Sequence, residues 1–488
     1  AELPEDASLL GASAGVASGR YRVGYRPALA TLAITCLVGV ALSWLRGGRG
    51  APPTVRADTS KDVPSLSQLW LGFGATEPEW KLGDAVTVSP KAQSLAVSWV
   101  SIIGRGQAAI VSFYQESKSL YFRSLEVGYD VGLDMIFDSA SVSYKNSTTM
   151  PSTSLAAAAG DKALACYLEQ RSANRRAIIC HLLSSNGKPS GSAMSLVEGG
   201  WPEFPGAPLL SNMNQGRVVV CWLVESWTTV DSTSTRSDYV NCTVVSTYPH
   251  LTKEETPQKL DKLLHMLPTR VTTNGSDDLA LARFDADRAI ACYGDTNEDR
   301  NLCAVVTVSE EHGKVHMTVG DAVTVAGRRG TYTANPCVVS PLDADRTVAC
   351  CEDSWFFGLR RYIECKILFV SGAKLTTNSF GDWMGATSLT LQSGWLSSMR
   401  LSAAAALKGG EVVICRDEGE TSVTCDVVAL GSAWLWGDKL SLGSGHTFAN
   451  VDLSYTGAVA LVSLGSGKVI LCSRERDTGA GTCRVVQP

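Results

Sequence analysis

The chain has 488 residues, with 43 Lys and Arg against 48 Asp and Glu, and a net charge of −5. This length allows a large buried core, and 45% hydrophobic with 19% charged residues is ordinary for a globular protein. Because general nucleic-acid binders carry a basic surface, the acidic balance excludes that class of protein.

The N-terminal part of the chain predicts a membrane anchor. Residues 1–27 are mostly small and polar and predict a disordered tail. Residues 28–45, ALATLAITCLVGVALSWL, contain no charge, and as a helix they would span about 27 Å, close to a bilayer core. We expect an uncleaved signal-anchor, a single transmembrane helix, with a cleaved signal peptide or a buried helix as alternatives. Residues 46–65 predict a linker.

Residues 66–488 repeat one pattern, in which an apolar run ends in a cysteine and a polar loop leads to a second cysteine and another apolar run. The first cysteines of the pairs are Cys166, Cys221, Cys292, Cys350, Cys415 and Cys472, and the second are Cys180, Cys242, Cys303, Cys365, Cys425 and Cys483. A seventh, upstream copy has Ser112 and Phe122 at these positions. We therefore expect an all-β, seven-bladed β-propeller, with two smaller domains or an open array as alternatives.

Two further patterns predict how the blades are built and how the ring closes. Segments rich in alanine, such as 154–160 and 401–407, suit the crowded position nearest the axis. The string GDAVTV occurs at 83–88 and again at 320–325, and the chain ends at the second cysteine strand of the last repeat. We expect residues 84–88 to pair with 483–486, because the last strand would otherwise leave an open edge.

One segment departs from the repeat. Residues 251–267, LTKEETPQKLDKLLHML, begin with a capping-box pattern and carry leucines at helical spacing. We expect a helix that packs across one rim of the propeller, or alternatively one that docks a partner.

The cysteine spacing predicts disulfides within each repeat. The two cysteines flank the loop of a predicted antiparallel hairpin, where opposed residues come close enough to bond. Cys337 and Cys351 allow a seventh bridge, and neither CxxC knuckles nor clustered histidines indicate a zinc site. Disulfides and three glycosylation sequons, at Asn146, Asn241 and Asn274, place the repeat domain on the extracellular or lumenal side of the membrane.

The repeat resembles the Cys-pair repeats predicted in many copies in proteins of free-living protists. The similarity is carried by segments such as Ala163–Tyr167, Ala289–Tyr293 and Cys303–Val306, and it extends over residues 66–488. This resemblance implies a surface-attached or secreted propeller, and it implies no chemistry.

The sequence predicts no catalytic residue, metal site or cofactor. Histidines are dispersed, and Glu203, Asp353 and Asp382 are interpreted as solvated loop charges. Aromatic residues in loops are the stronger signal, and Trp227, Trp355, Phe356 and Phe357 are candidate recognition residues, with packing between blades as the alternative.

These observations predict a non-enzymatic, membrane-anchored recognition or scaffold domain that binds a protein or a glycan. The alternatives are a glycoside-active enzyme on the same fold and an accessory subunit of an organellar membrane complex.

Overall fold

The computed structural model describes residues 79–488. It leaves out residues 93, 103–105, 116–118, 128–132, 136–139, 144–152, 231–232, 255–257, 265–278, 296–299, 328–336, 356–359, 378–387, 393–399, 434–436, 455–457 and 466. Within these limits the protein is an all-β propeller, and the short 3-10 turn Asn214–Gly216 is its one helical element.

The strands follow one another in antiparallel hairpins. Those of the first part of the chain are β1 (Lys81–Leu82), β2 (Val86–Ser89), β3 (Ser94–Ile102), β4 (Gly106–Gln115), β5 (Ser119–Val127), β6 (Leu133–Met135), β7 (Ala140–Ser143), β8 (Thr153–Ala157), β9 (Ala163–Ser172), β10 (Arg175–Leu183), β11 (Met194–Gly200), β12 (Glu203–Asn212), β13 (Arg217–Val230), β14 (Thr233–Ser246), β15 (Thr252–Lys253) and β16 (Gln258–Leu264).

The second part of the chain continues the pattern to the C-terminal strand. Its strands are β17 (Leu279–Arg283), β18 (Arg288–Asp295), β19 (Arg300–Glu311), β20 (Lys314–Val319), β21 (Val323–Gly327), β22 (Cys337–Pro341), β23 (Arg346–Trp355), β24 (Arg360–Ser371), β25 (Lys374–Thr377), β26 (Ser388–Gln392), β27 (Leu401–Ala406), β28 (Glu411–Glu418), β29 (Ser422–Ala433), β30 (Gly437–Ala449), β31 (Val459–Ser463), β32 (Val469–Arg474) and β33 (Gly481–Gln487).

Hydrogen bonds join the described strands into six sheets. Five are separate blades of four or five strands, made of β3–β7, β17–β21, β22–β26, β27–β30, and β31–β33 with β1 and β2. The sixth is a nine-stranded sheet of β8–β16.

The expected fold class, seven separate blades preceded by a transmembrane helix, is therefore wrong. Two repeats share the nine-stranded sheet because the turn between β11 and β12 lets Gly200 pair with Glu203. Residues 28–45 lie outside the described residues, and no helix in the described part of the chain is long and apolar enough to cross a membrane.

The expected helix at 251–267 is also wrong in the part that the structure describes. Strands β15 and β16 replace it, and both pair with β14, with Leu264 opposite Ser237 and Gln258 opposite Cys242. Pairing satisfies the backbone groups on the free edge of β14, which a helix would leave open.

The ring closes between the two ends of the described chain. β2 pairs with β33, with Val86 opposite Cys483, and β1 extends the same edge, with Leu82 opposite Val486. The predicted pairing of residues 84–88 with the last strand is thereby confirmed, but β2 lies opposite residues 481–483 and not 483–486.

The apolar core lies between neighbouring sheets. In one such interface Ile290 and Val305 belong to the same buried cluster as Val339 and Leu368 of the next sheet. Each sheet thus buries both faces, which is the arrangement that a ring of blades provides.

Candidate functional site

A central cavity runs along the axis of the propeller. One strand of each sequence repeat lines it, namely β3, β8, β12, β17, β22, β27 and β31, and it encloses about 360 Å³. Mostly small or aliphatic residues line it, as at Ala96, Ala280 and Ala404, and Thr153, Ser154 and Ser402 are the hydroxyl-bearing ones. The lining side chains therefore offer a ligand few hydrogen bonds.

One end of the cavity has a buried and a half-buried carboxylate beside it. We call this end the hairpin face, since the lining strands begin there (Thr153, Glu203, Leu401) and the loops of the six repeated cysteine pairs turn there. At this face the Ser402 hydroxyl donates a hydrogen bond to Asp417, and the Leu401 N–H donates one to Glu352 at 2.9 Å. Two carboxylates from neighbouring sheets thus hold consecutive residues at the start of β27.

The environment of Asp417 favours its protonated form. Burial raises the pKa of this carboxyl, and the hydrogen bond from Ser402 and the charge of Arg400 oppose the shift without cancelling it. A carboxyl with a raised pKa beside a cavity is suited to donate a proton.

The turn between β11 and β12 lies on the same face and is built by two glycines. A Cβ on Gly199 would lie 2.6 Å from the Glu203 carbonyl oxygen, and one on Gly200 would lie 2.6 Å from that of Asn174. Both glycines are needed for this close approach. The turn that they allow carries Trp201 and Pro202, joined by a cis peptide bond.

This turn presents an exposed aromatic surface, which we call the Trp201 platform. Trp201 is 59% exposed, and its ring stacks on Trp227 with 6.1 Å between centroids and meets Phe204 edge-on at 6.5 Å. The backbone N–H of Trp227 donates to the Pro202 carbonyl at 2.9 Å and so fixes the turn that carries Trp201. The ring of Trp201 thus packs against two aromatic side chains while much of the residue faces solvent.

Charged side chains surround the platform. Glu203, directly after the turn, is exposed and accepts a hydrogen bond from the Tyr239 hydroxyl. Burial and the charge of Glu203 raise the pKa of Tyr239 to about 12, so this hydroxyl remains a donor at neutral pH. Arg176 lies 5.1 Å from the Phe204 ring centroid and 3.5 Å from the carboxylate of Glu225.

The described cysteines form seven disulfides. They join Cys166 to Cys180, Cys221 to Cys242, Cys292 to Cys303, Cys350 to Cys365, Cys415 to Cys425, Cys472 to Cys483, and Cys337 to Cys351. These are the pairings that the hairpin spacing predicts. Each pair bridges residues directly opposite each other, as in Cys166 and Cys180.

The other predicted site residues have different outcomes. Trp227 lies in the platform, and Trp355 ends β23, whereas Phe356 and Phe357 are outside the described residues. Asn146 and Asn274 are also outside them, and Asn241 lies in β14 with its side-chain amide oxygen buried.

Asp417 and Ser402 were not predicted from the sequence as site residues, and Trp201 was one of the loop aromatics but not a candidate recognition residue. The double glycine before Trp201 is the signal that could have marked an unusually tight turn. Glu203, interpreted from sequence as a solvated charge, belongs to the site. In the described part of the chain no three metal-ligating side chains lie together.

No protein-family model and no curated protein matches the sequence. Among solved structures, the chain is similar to the polysaccharide lyase Uly1 (7% identity, 83% of this chain and 99% of that chain, TM-score 0.43). It is also similar to an alpha-L-arabinanase of Penicillium chrysogenum (12%, 83% and 98%, 0.39) and to the NanB sialidase of Streptococcus pneumoniae (8%, 80% and 85%, 0.41). At these identities the likeness concerns the fold.

These comparisons correct the expectation that the protein is not an enzyme. That expectation rested on the lack of a recognised catalytic motif. The similar structures include a lyase, an arabinanase and a sialidase.

Proposed function

We propose that this protein recognises a glycan on its hairpin face and holds a sugar ring on the Trp201 platform. The observation that carries the proposal is Trp201, which is 59% exposed, stacks on Trp227 and lies in a turn that the backbone hydrogen bond from Trp227 to Pro202 fixes. The C–H face of a sugar ring is apolar and packs against an indole, while its hydroxyls face outward to polar groups. A fixed indole also loses little conformational entropy when it binds.

The surroundings of the platform supply those polar groups. Glu203 offers an exposed carboxylate as acceptor, and Arg171 and Arg175 offer N–H donors on the neighbouring hairpin. An apolar surface with a few well-placed polar groups at its rim is the usual composition of a ligand site.

Glycan-array binding by Trp201→Ala tests this function. We expect the wild type to bind a defined set of glycans and the variant to lose at least about tenfold in affinity, which corresponds to about 1.4 kcal/mol. Tyr248→Ala is the matched control, because Tyr248 is 72% exposed and lies beyond the end of β14, on the opposite face. Equal binding by the wild type and Trp201→Ala would overturn the proposal.

A second candidate function is glycoside cleavage at the cavity mouth, favoured by Asp417 and Ser402. A carboxyl with a raised pKa can protonate the leaving oxygen of a glycosidic bond, a contribution worth roughly 10²–10⁴ in rate. The strands that carry Asp417 and the Trp201 platform reach the same face, so a chain held on the platform could extend toward the mouth.

Product analysis with the glycans that bind on the array tests the second function. We expect wild-type protein to shorten them and Asp417→Asn to lose at least about 100-fold in rate while keeping its glycan affinity. Glu411→Gln, an exposed acid at the other end of β28, is the control. No turnover by the wild type, or full activity in Asp417→Asn, would exclude this role.

We also propose that the propeller works outside the cytosol, because cytosolic reductants keep thiols reduced and its described part has seven disulfides. Alkylation of unreduced, freshly lysed cells should leave these cysteines unlabelled. Extensive labelling would contradict the proposal.

A further inference from the structure

The seventh disulfide differs from the other six in its place in the sheet. The six repeated pairs join the second and third strands of a repeat, as Cys350 of β23 is joined to Cys365 of β24. The bridge between Cys337 and Cys351 instead joins β23 to β22. In the described part of the chain β22 is the edge strand of its sheet, and it lines the central cavity. This bridge therefore lies nearest the axis of the propeller.

The seventh disulfide is also the one that the cavity reaches. Among the cysteines that the structure describes, only Cys337 lines the cavity. Cys337 is 7% exposed and Cys351 is fully buried, whereas the cysteines of the other six pairs are at most 1% exposed. The cavity encloses about 360 Å³, a volume that holds small ligands. Because exchange requires the attacking sulfur to reach a bonded sulfur, access decides which bridge reacts.

The fold closes without a bridge at the same place in the other six repeats. There, too, the residue that follows the first cysteine position stands opposite a residue of the lining strand, as Cys351 stands opposite Cys337. The corresponding pairs are Leu95 and Phe113, Thr153 and Tyr167, Pro208 and Trp222, Leu279 and Tyr293, Leu401 and Arg416, and Val459 and Ser473. The repeat itself therefore does not require a disulfide at this position.

We propose that the bridge between Cys337 and Cys351 is dispensable to the fold and is an exchange site for small thiols, which enter the central cavity and open it while the other six bridges stay closed. The thiolate sulfur attacks Sγ of Cys337, the bond between the two cysteine sulfurs breaks, and Cys351 leaves as a thiolate that takes up a proton. Cys337 is then in a mixed disulfide with the small thiol. A second thiol molecule releases Cys337, so the bridge has gained two electrons and two protons, and two thiols have become one disulfide.

Graded reduction of the folded wild-type protein with mercaptoethanol tests the exchange site. Acid quenching, alkylation and tandem mass spectrometry then measure the free thiol and the mercaptoethanol adduct at each cysteine. We expect the bridge between Cys337 and Cys351 to open at least about tenfold faster than any other, with the adduct on Cys337. The bridge between Cys350 and Cys365 is the matched control, because it begins one residue away and closes a loop of similar length, with a sequence separation of 15 against 14.

Two further measurements separate access through the cavity from local weakness of the bridge. The same thiol group attached to a bulky globular protein should leave Cys337 and Cys351 joined. The double variant Cys337→Ser, Cys351→Ser should fold and keep the other six bridges. Opening of the control bridge at an equal rate, an adduct on Cys351, opening by the bulky thiol, or no opening in the folded protein would overturn the exchange site. Failure of the double variant to fold would show that the bridge is structural, and would overturn it as well.

Discussion

His181 is a buried histidine whose environment disfavours its charged form. It lies in β10, 9% exposed, with its ring stacked 5.8 Å from that of Tyr167 and its Nε2 3.3 Å from the Tyr167 hydroxyl. Burial lowers the pKa of His181, and the charge of Glu169 opposes the shift. The folded protein therefore keeps this ring neutral at pH values where an unfolded chain would protonate it.

This lowered pKa predicts a loss of stability in mild acid. Below the unfolded value of about 6.5 the unfolded chain binds a proton that the folded chain binds less readily. The contribution of His181 to the free energy of unfolding is therefore complete above that pH and decreases as the pH falls below it. Urea unfolding between pH 7.5 and 5.5 should show a smaller loss in His181→Gln than in the wild type. The exposed His316→Gln is the control, and equal losses in all three proteins would contradict the assignment.

At the level of residues, the sequence predicted the disulfide pairs more accurately than the exposed recognition residues. Each cysteine pair was predictable because a hairpin fixes which residues stand opposite each other. Trp227 was predicted as a recognition residue, whereas Trp222, which has a similar sequence context, is fully buried. The difference depends on which face of β13 each side chain occupies and on the neighbouring turn at Gly199 and Gly200, which a single sequence does not specify.

Gly320 shows how the repeated GDAVTV string works at the level of elements. It separates β20 from β21, two short strands that both pair with β19. A Cβ at this position would lie 1.7 Å from the carbonyl oxygen of Ala373 in the next sheet. Gly320 therefore lies at the break between the two outer strands and leaves room for the Ala373 carbonyl of the neighbouring sheet.

Gly320→Ala should destabilise the propeller by about 1–3 kcal/mol, the usual cost of forcing extra atoms into a packed site. Gly431→Ala is the matched control, since Gly431 also lies at an outer strand pair and its Cβ would come no nearer than 3.8 Å to the Lys439 carbonyl oxygen. Thermal unfolding measures the stability of both variants. Equal melting temperatures for the two variants would show that the close approach does not matter.

Arg346 links two neighbouring sheets on the face opposite the site. Its guanidinium pairs with Asp343 in its own turn at 2.5 Å and with Asp438 of the next sheet at 2.6 Å. Arg288 makes the equivalent turn contact with Asp285 and donates to the Gly372 carbonyl at 3.0 Å. The repeated Asp-Ala-Asp-Arg sequence is thus a turn that also contacts the next sheet.

A double-mutant cycle of Arg346→Gln and Asp438→Asn should give a coupling energy of about 0.5–1 kcal/mol, because both groups are partly exposed. Asp345→Asn is the control, since its carboxylate is 71% exposed and lies farther from the guanidinium, at 3.4 Å. Coupling of the Arg346–Asp438 pair no larger than that of the control pair would contradict the proposed link.

The alanine-rich strands nearest the axis could be predicted, because only small side chains fit there. The split outer strands and the strand at 258–264 could not. Leucines at helical spacing favour a helix in isolation, but the open edge of β14 provides backbone partners that outweigh this local preference.

Closure of the ring is a property of the whole molecule. Val88 in β2 is fully buried in the cluster that joins the closing sheet to that of β3–β7, together with Leu95, Val111 and Val485. The N-terminal strands therefore complete a blade and also fill its interface with the next one.

Val88→Ala should cost about 1–3 kcal/mol, whereas Thr87→Ala, at an exposed position of the same strand, should change stability little. Chemical unfolding of both variants measures the difference. A small effect of Val88→Ala would show that closure through β2 contributes little to stability.

The number of separate blades was the part of the architecture that the repeat count misjudged. Cysteine spacing indicates where the hairpins are, but it does not indicate whether strands of adjacent blades are hydrogen-bonded to each other. The pairing of Gly200 with Glu203, which joins β8–β16 into one sheet, occurs at the turn that also carries Trp201. The turn that joins two repeats into one sheet is thus also the turn that carries the candidate site.

The most direct test of glycan recognition is a crystal structure of the protein with a glycan that the array identifies. We expect a sugar ring within about 4 Å of the Trp201 indole and a sugar hydroxyl hydrogen-bonded to Glu203. A sugar bound away from the Trp201 platform, or an empty platform at saturating glycan, would contradict it.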